Sequence, residues 1–285
     1  MNINYTHYTT NVPFCQGYSE INKKVHIQWE CSCERPARLF YHIFKKVITI
    51  ILSRLDLEAI AAAIMKDFFQ VYYGDELDNP NRFVLATPIN ALAKDYLRLR
   101  VSYAPLSPDG SICGLTAYYD TSYTIRIDQQ PYAIQLKRNQ VILDMSFRNC
   151  EKNSGLFRRR RFTLAHECAH QILFQLASDE EKEMCTNAYS ARSSYLPYEL
   201  KTREDWNEWQ ANVLGAAILL PQTEVDRAMY FLTESKPLSS SADSISCNDK
   251  FTLSVFCGMF GVSIPTAVRR LCELGYMKLR KEVTA

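Results

Sequence analysis

The chain has 285 residues, 47% of them hydrophobic, which is enough for one large domain or for one domain with a small appendage. Its formal net charge is only +2, from 33 basic and 31 acidic side chains. Charges so nearly balanced exclude a global field directed at nucleic acid or at a membrane surface, so any basic patch must be local.

The cysteines and the N-terminus predict a cytoplasmic protein. The ten cysteines are scattered through the chain, which is typical of reduced thiols rather than of a disulfide scaffold. The first residues show neither a basic start before an apolar run nor a small-residue cleavage site. The most apolar stretch, VITIILSRL from Val47, contains Arg54 and is followed by Asp56, so no membrane span is expected.

Residues 1–54 are predicted to form an N-terminal extension of unknown role. The first part of this extension is polar and shows no sustained hydrophobic period. Four of its side chains could together ligate a metal, but a C-x-C spacing without a second pair favours ordinary thiols. These four are Cys15, His26, Cys31 and Cys33.

Helical patterns come next. Apolar positions recur at helical spacing from Arg38 to Tyr73, which predicts two helices divided near Asp56, the expected N-cap of the second. A short helix is predicted from Pro88, with the proline near its first turn.

Four strand-like segments then predict a small, mostly antiparallel sheet, at residues 100–105, 111–120, 123–128 and 140–146. Helical patterns resume at Thr163, again from Arg203 to Leu220, and again after Pro221. Because strands and helices do not alternate regularly, the predicted fold class is α+β.

The strongest chemical signal is the sequence from His166 to His170, which fits the H-E-x-x-H pattern. At about 100° per residue the two histidines lie about 40° apart on one helix face, so both rings can reach one ion while Glu167 projects beside them. Thr163 is the expected N-cap of this helix, and Cys168 falls on its opposite face. The alternative is that both histidines are ordinary helix residues.

A catalytic zinc site normally needs a third protein ligand and one open position for water. Glu208 opens the second helical stretch and is the favoured third ligand, with Glu204 and Asp205 as rivals. Asn212, one turn further on, could orient an imidazole from behind. Small residues near this face would let the two helices approach closely; they are Ala211, Gly215 and Ala216, opposite Ala165 and Ala169.

This set of residues predicts metal-dependent peptide hydrolysis with Glu167 as the catalytic base. Zinc is the expected ion, although two histidines and a carboxylate would also accept manganese or iron. Tyr195 or Tyr198 could donate a phenol hydrogen bond to the oxyanion, the alternative being ordinary core or surface tyrosines.

The C-terminal part divides into two segments. Residues 236–251 are rich in Ser and Asp and predict a flexible linker. Residues 252–285 follow a helix-turn-helix pattern, in which Ser263 is the N-cap of the second helix and Pro265 lies in its first turn. Residues 55–235 are then the predicted metallopeptidase domain.

The segments RRRFTLAHECAH and EWQANVLGAAILLP resemble the ImmA/IrrE family of zinc metallo-endopeptidases. The resemblance extends from near Leu55 to the end of the chain. It implies a zincin-like domain with zinc held by His166, His170 and Glu208, and a catalytic Glu167. It also implies that the substrate is a helix-turn-helix repressor protein, and that the enzyme relieves repression by acting on it.

The chain departs from that family where Cys168-Ala169 replaces the usual Leu-Gly, and where Gly215 replaces a common alanine. None of these three positions is a ligand, so the site is expected to survive both changes.

Two further functions remain open from the sequence. One is a DNA-binding or partner-binding regulator in which Arg269 and Arg270 contact phosphates. The second helix has few side chains that could read bases, however, and this favours a packing or docking role. The other is a metal sensor without turnover. The basic run from Arg158 to Arg161 could dock an acidic substrate, but a solvated connection with local pairing is favoured.

Overall fold

A computed structural model of the chain describes residues 27–28, 38–39, 51–127, 129–183, 189–191, 202–239 and 246–278. The chain divides into two compact units, Met1–Ile48 and Thr49–Ala285. In the first unit β1 (Ile27–Gln28) pairs antiparallel with β2 (Arg38–Leu39), so the first two residues of the predicted helical stretch are extended. The cysteines and the histidine of the candidate metal site in the extension lie outside the described residues.

The second unit is α+β, as predicted. Its helices are α1 (Arg54–Tyr73), α2 (Ile89–Ala91), α3 (Gly155–Leu176), α4 (Asp179–Glu183), α5 (Arg203–Leu219), α6 (Gln222–Thr233), α7 (Cys247–Phe260) and α8 (Ile264–Glu273). Its strands are β3 (Arg100–Ala104), β4 (Gly114–Ala117), β5 (Thr121–Ile127), β6 (Gln130–Leu136), β7 (Gln140–Asp144), β8 (Tyr189–Ala191), β9 (Leu238–Ser239) and β10 (Met277–Lys278).

The main sheet is mixed, with two of its three strand pairings antiparallel. Its strand order is β3-β7-β4-β8, with β3 and β7 parallel and the other two pairings antiparallel. The predicted strand at 123–128 corresponds to β5, which pairs with β6 in a separate two-stranded sheet. Strands β9 and β10 form a short parallel pair.

Two predicted N-caps are wrong. Helix α1 is capped by Ser53, whose side chain accepts from the backbone N–H of Asp56, while the Asp56 carboxylate accepts from the N–H of Ser53. Asp56 is therefore the third residue of a capping box. Helix α3 is capped by Ser154 and begins more than two turns before Thr163, which is buried inside the helix. The basic run thus belongs to the first turns of α3, and polar residues there conceal the helical period.

Helix α3 lies between α5 and the main sheet, and this layering puts the H-E-x-x-H segment in the protein interior. Side chains alternate along β4, so Leu115 and Ala117 pack into an apolar cluster with the β5–β6 sheet. Thr116 faces the other way, where its hydroxyl accepts a hydrogen bond from Gln171 of α3.

The C-terminal helices α7 and α8 form the expected helix-turn-helix shape, bent by 100°. The turn is made by Gly261, whose φ of 63° is in the left-handed region, and Ser263 caps α8 as predicted. Helix α7 begins at Cys247 and β9 lies at Leu238–Ser239, both within the range predicted as a linker. Residues 240–245 are outside the described part of the chain.

Among the described residues, no single helix is both long and apolar enough to cross a membrane. The bent pair of α7 and α8 meets the same criteria of length and composition only when the two helices are taken together.

Candidate metal centre

Helices α3 and α5 bring His166, His170 and Glu208 together. The Nε2 atoms of the two histidines are 3.0 Å apart. Each of them is 3.1 Å from one carboxylate oxygen of Glu208, which turns Oε2 toward His166 and Oε1 toward His170. Within the described residues, these three side chains form a group able to hold a metal ion.

The spacing of these atoms fits a tetrahedral ion. Ligand atoms about 2.0–2.1 Å from a zinc ion lie about 3.3–3.4 Å apart on a tetrahedron. The three observed separations, 3.0, 3.1 and 3.1 Å, are close to that value. Two imidazoles and a carboxylate are also a donor set that zinc accepts, so the residues present fit the metal that the sequence predicts.

The close approach of the two helices depends on Gly215. A Cβ atom at this position would lie 3.1 Å from the backbone N and Cα of His166 and 3.2 Å from the backbone carbon of Ala165. These neighbours are main-chain atoms and cannot rotate away. A side chain at this position would therefore force the two helices slightly apart and move Glu208 away from the histidines.

Asn212 lies where the sequence predicted it, behind the first histidine. Its Oδ1 is 3.1 Å from Nδ1 of His166. An amide oxygen only accepts, so Nδ1 of His166 carries a proton and Nε2 is the ring nitrogen available to a metal ion at the centre.

The four central side chains are shielded from solvent to different degrees. His166 and Glu167 are fully buried and His170 is 2% exposed, whereas the Glu208 side chain is 16% exposed. Burial tends to raise the pKa of Glu208, but His170 and His166 outweigh it and hold that pKa far below its ordinary value. Glu208 is therefore a carboxylate, the form that binds metal.

Glu167 projects from α3 toward the start of β4. A Cβ atom at Gly114 would lie 2.5 Å from Oε1 of Glu167 and 2.6 Å from Cγ2 of Thr163. Only a glycine at this position leaves space for the carboxylate. The sequence carried a signal for this, because a glycine inside a strand pattern often marks a close approach.

Ser190 of β8 is a site residue that the sequence did not predict. Its Oγ donates to Oε1 of Glu208 at 2.9 Å and lies 3.5 Å from Nε2 of His170. A lone serine in a three-residue strand has no sequence signal for such a contact.

Neither of the two rival candidates for the third ligand belongs to the centre. Asp205 accepts from the N–H of Thr202 as part of the capping box of α5, and neither it nor Glu204 joins the metal-ligating group. Cys168 is fully buried, and burial raises the pKa of its thiol. Tyr195 and Tyr198 lie outside the described residues.

The basic run lies in the first turns of α3 rather than in the solvated connection favoured from the sequence, and its partners are distant in the chain. Arg159 donates to Sγ of Cys113, and Arg160 donates to the hydroxyl of Tyr103 and to the side chain of Asn90. Arg161 donates to the backbone oxygens of two residues in the neighbouring segments, Thr87 and Phe260. Arg161 thereby fastens the end of α7 to the helix that carries the histidines.

The alternative in which Arg270 contacts phosphates does not fit the structure. Its side chain is 1% exposed and pairs with both carboxylate oxygens of Glu58, at 2.9 Å for the Nη2–Oε2 pair, while Nε donates to the backbone oxygen of Leu220. These contacts hold the guanidinium inside the protein, where it cannot reach a phosphate. Arg269 beside it is exposed.

No protein-family model matches the chain, and no curated protein matches it.

Proposed function

We propose that the chain is a zinc-dependent endopeptidase that hydrolyses a peptide bond in a protein substrate. The observation that carries this proposal is the convergence of His166, His170 and Glu208 beside Glu167 on α3. Manganese or iron would suit the same donor set. A zincin-like architecture for the domain and a cytoplasmic location belong to the same proposal.

Each residue of the site has a separate role in the proposed hydrolysis. His166, His170 and Glu208 would hold the zinc ion, which would supply the Lewis acidity that lowers the pKa of water and polarises a carbonyl. Glu167 takes the proton of the attacking water and delivers it to the leaving amine. Asn212, by accepting from Nδ1, keeps His166 in the tautomer that ligates through Nε2. Burial of Glu167 keeps competing solvent from its carboxylate.

The substrate class in this proposal is a helix-turn-helix transcriptional repressor. It rests on the resemblance of the two active-helix segments to the ImmA/IrrE family, whose members act on such repressors. Direct DNA binding by residues 252–276 is not part of the proposal, because Arg270 is buried in an ion pair.

The test is cleavage of a candidate repressor encoded nearby, by the zinc-loaded chain and by its Glu167→Gln variant. We expect the variant to bind zinc normally and to lose about 100- to 10,000-fold in kcat, the range that a general base contributes. Glu204→Gln, at an exposed position on α5, is the matched control and should cleave like the wild type. Equal cleavage by the wild type and Glu167→Gln, or an intact repressor in every tube, would contradict the proposal.

A further inference from the structure

Strand β8 carries one hydroxyl into the metal centre. Ser190 donates through Oγ to Oε1 of Glu208 at 2.9 Å, and the same oxygen lies 3.5 Å from Nε2 of His170. A hydroxyl that donates to an ionised carboxylate forms a charge-assisted hydrogen bond, which is stronger than a neutral one. Oε1 is also the Glu208 oxygen nearest His170, so this bond acts on a ligand atom directly.

The register of β8 determines which side chain reaches the centre. Ser190 lies directly opposite Thr116 of β4, and opposed residues of an antiparallel pair project on the same face. Tyr189 projects on the other face, where its ring meets that of Tyr123 at 5.5 Å in an edge-on contact. A slip of one residue would place Tyr189 or Ala191 at the metal centre in place of Ser190.

The register is tied to the histidine helix through Gln171. This side chain follows His170, is 2% exposed, and donates to Oγ1 of Thr116 at 2.6 Å and to the backbone oxygen of Ala117 at 2.9 Å. The residue beside one ligand therefore holds the strand that pairs with β8. A series of contacts thus connects the two helices: Gln171 links α3 to β4, strand pairing links β4 to β8, and Ser190 links β8 to Glu208 of α5.

We infer that Ser190 is a positioning residue of the metal centre, whose hydroxyl holds the Glu208 carboxylate in the orientation that meets both histidines. The inference rests on the proposed metal site and names a residue that governs its affinity. A carboxylate at the end of a flexible side chain loses conformational freedom when it binds a metal. A hydrogen bond that restricts it beforehand reduces that cost, and loss of such outer partners typically weakens metal binding about 10- to 100-fold.

The test compares the full-length chain with Ser190→Ala, with Ser190→Thr, which retains the hydroxyl, and with Ser122→Ala at an exposed position of β5. Zinc dissociation constants are measured by competition with a chromogenic chelator, and thermal unfolding in excess chelator checks that the metal-free folds are equally stable. We expect Ser190→Ala to bind zinc about 10- to 100-fold more weakly. Ser190→Thr should recover most of the loss, and Ser122→Ala should match the wild type.

Unchanged zinc affinity in Ser190→Ala would overturn the inference. So would a rise in its repressor cleavage, because the hydroxyl would then obstruct the position that substrate or water needs. If the wild type binds zinc but cleaves no repressor, the proposed peptidase activity fails, and the zinc affinities still decide the role of Ser190. If cleavage occurs, we expect Ser190→Ala to lower kcat with little change in KM.

Discussion

At Gly114 the main chain of β4 comes so close to Glu167 that a single added carbon atom would collide with the carboxylate. In the proposed mechanism Glu167 acts as the base from the position that this gap allows. The same stretch of helix supplies both histidines, so a displaced Glu167 would change proton transfer without removing a ligand.

Gly114→Ala is therefore expected to lower kcat about 10- to 100-fold while leaving three ligands for zinc, because misplacement of a catalytic group by about 1 Å has costs of that order. Steady-state cleavage and chelator competition measure the two effects separately. Gly258→Ala is the matched control, since a Cβ at that exposed helical position meets no atom within 4 Å. Full activity in Gly114→Ala would show that Glu167 works from a different position.

The clustering of the proposed metal ligands could be predicted from the sequence because helix geometry is local. Residues four apart on one helix share a face, whatever the rest of the fold does, and this placed His166 with His170 and Glu208 with Asn212. Ser190 could not be predicted in this way. Its position depends on the pairing of β8 with β4, in which Ser190 lies opposite Thr116, 74 residues earlier in the chain. Such a long-range pairing is a property of the tertiary structure.

Helices α3 and α5 meet along a seam of small residues, and the separation of their axes determines whether the ligands can share an ion. Gly215 lies where the seam is tightest, against the backbone of Ala165 and His166. A larger side chain at this position would push one helix away from the other, since protein interiors have little free space.

Gly215→Val is expected to reduce the free energy of unfolding by about 1–3 kcal/mol, the usual cost of overpacking, and also to weaken zinc binding. Urea denaturation of the metal-free protein measures the first effect, and chelator competition measures the second. Gly258→Val introduces the same side chain into an exposed helical position and controls for helix propensity, which changes stability by less than about 1 kcal/mol. Equal stability of the two variants would mean that the helices can separate without cost.

Most helices were predictable, whereas six of the described strands, β1, β2, β6, β8, β9 and β10, were not. Apolar residues at helical spacing predicted α1, α5, α6 and α8. Strand β6 has little apolar alternation, because most of its residues are exposed, and β8 is too short to show any period. The first turns of α3 were not predicted, because the basic run conceals their amphipathic pattern.

Across the whole second unit, Arg270 of α8 joins the C-terminal helices to α1 through Glu58, a pair separated by 212 residues in the chain. One alternative from the sequence placed this arginine at the surface, since nothing local marks a buried partner so far away. The ion pair is shielded, with 1% of the Arg270 side chain and 13% of the Glu58 side chain exposed.

Arg270→Met is expected to reduce the free energy of unfolding by about 3–5 kcal/mol, because it leaves the Glu58 carboxylate buried without its charge partner. Urea denaturation provides the measurement, and Arg269→Met at the exposed neighbour should change stability by no more than about 0.5 kcal/mol. A double variant that adds Glu58→Gln should recover part of the loss. If Arg270→Met is as stable as Arg269→Met, the pair does not hold α8 against α1.

The division of the ligands between α3 and α5 also has a consequence during synthesis. His170 and Glu208 are 38 residues apart in the numbering, and at about 5–20 residues per second the ribosome adds that stretch in about 2–8 s. Throughout this interval the nascent chain has two imidazoles but no third ligand. The order of translation thus delays the complete ligand set of the proposed zinc site until α5 has been made.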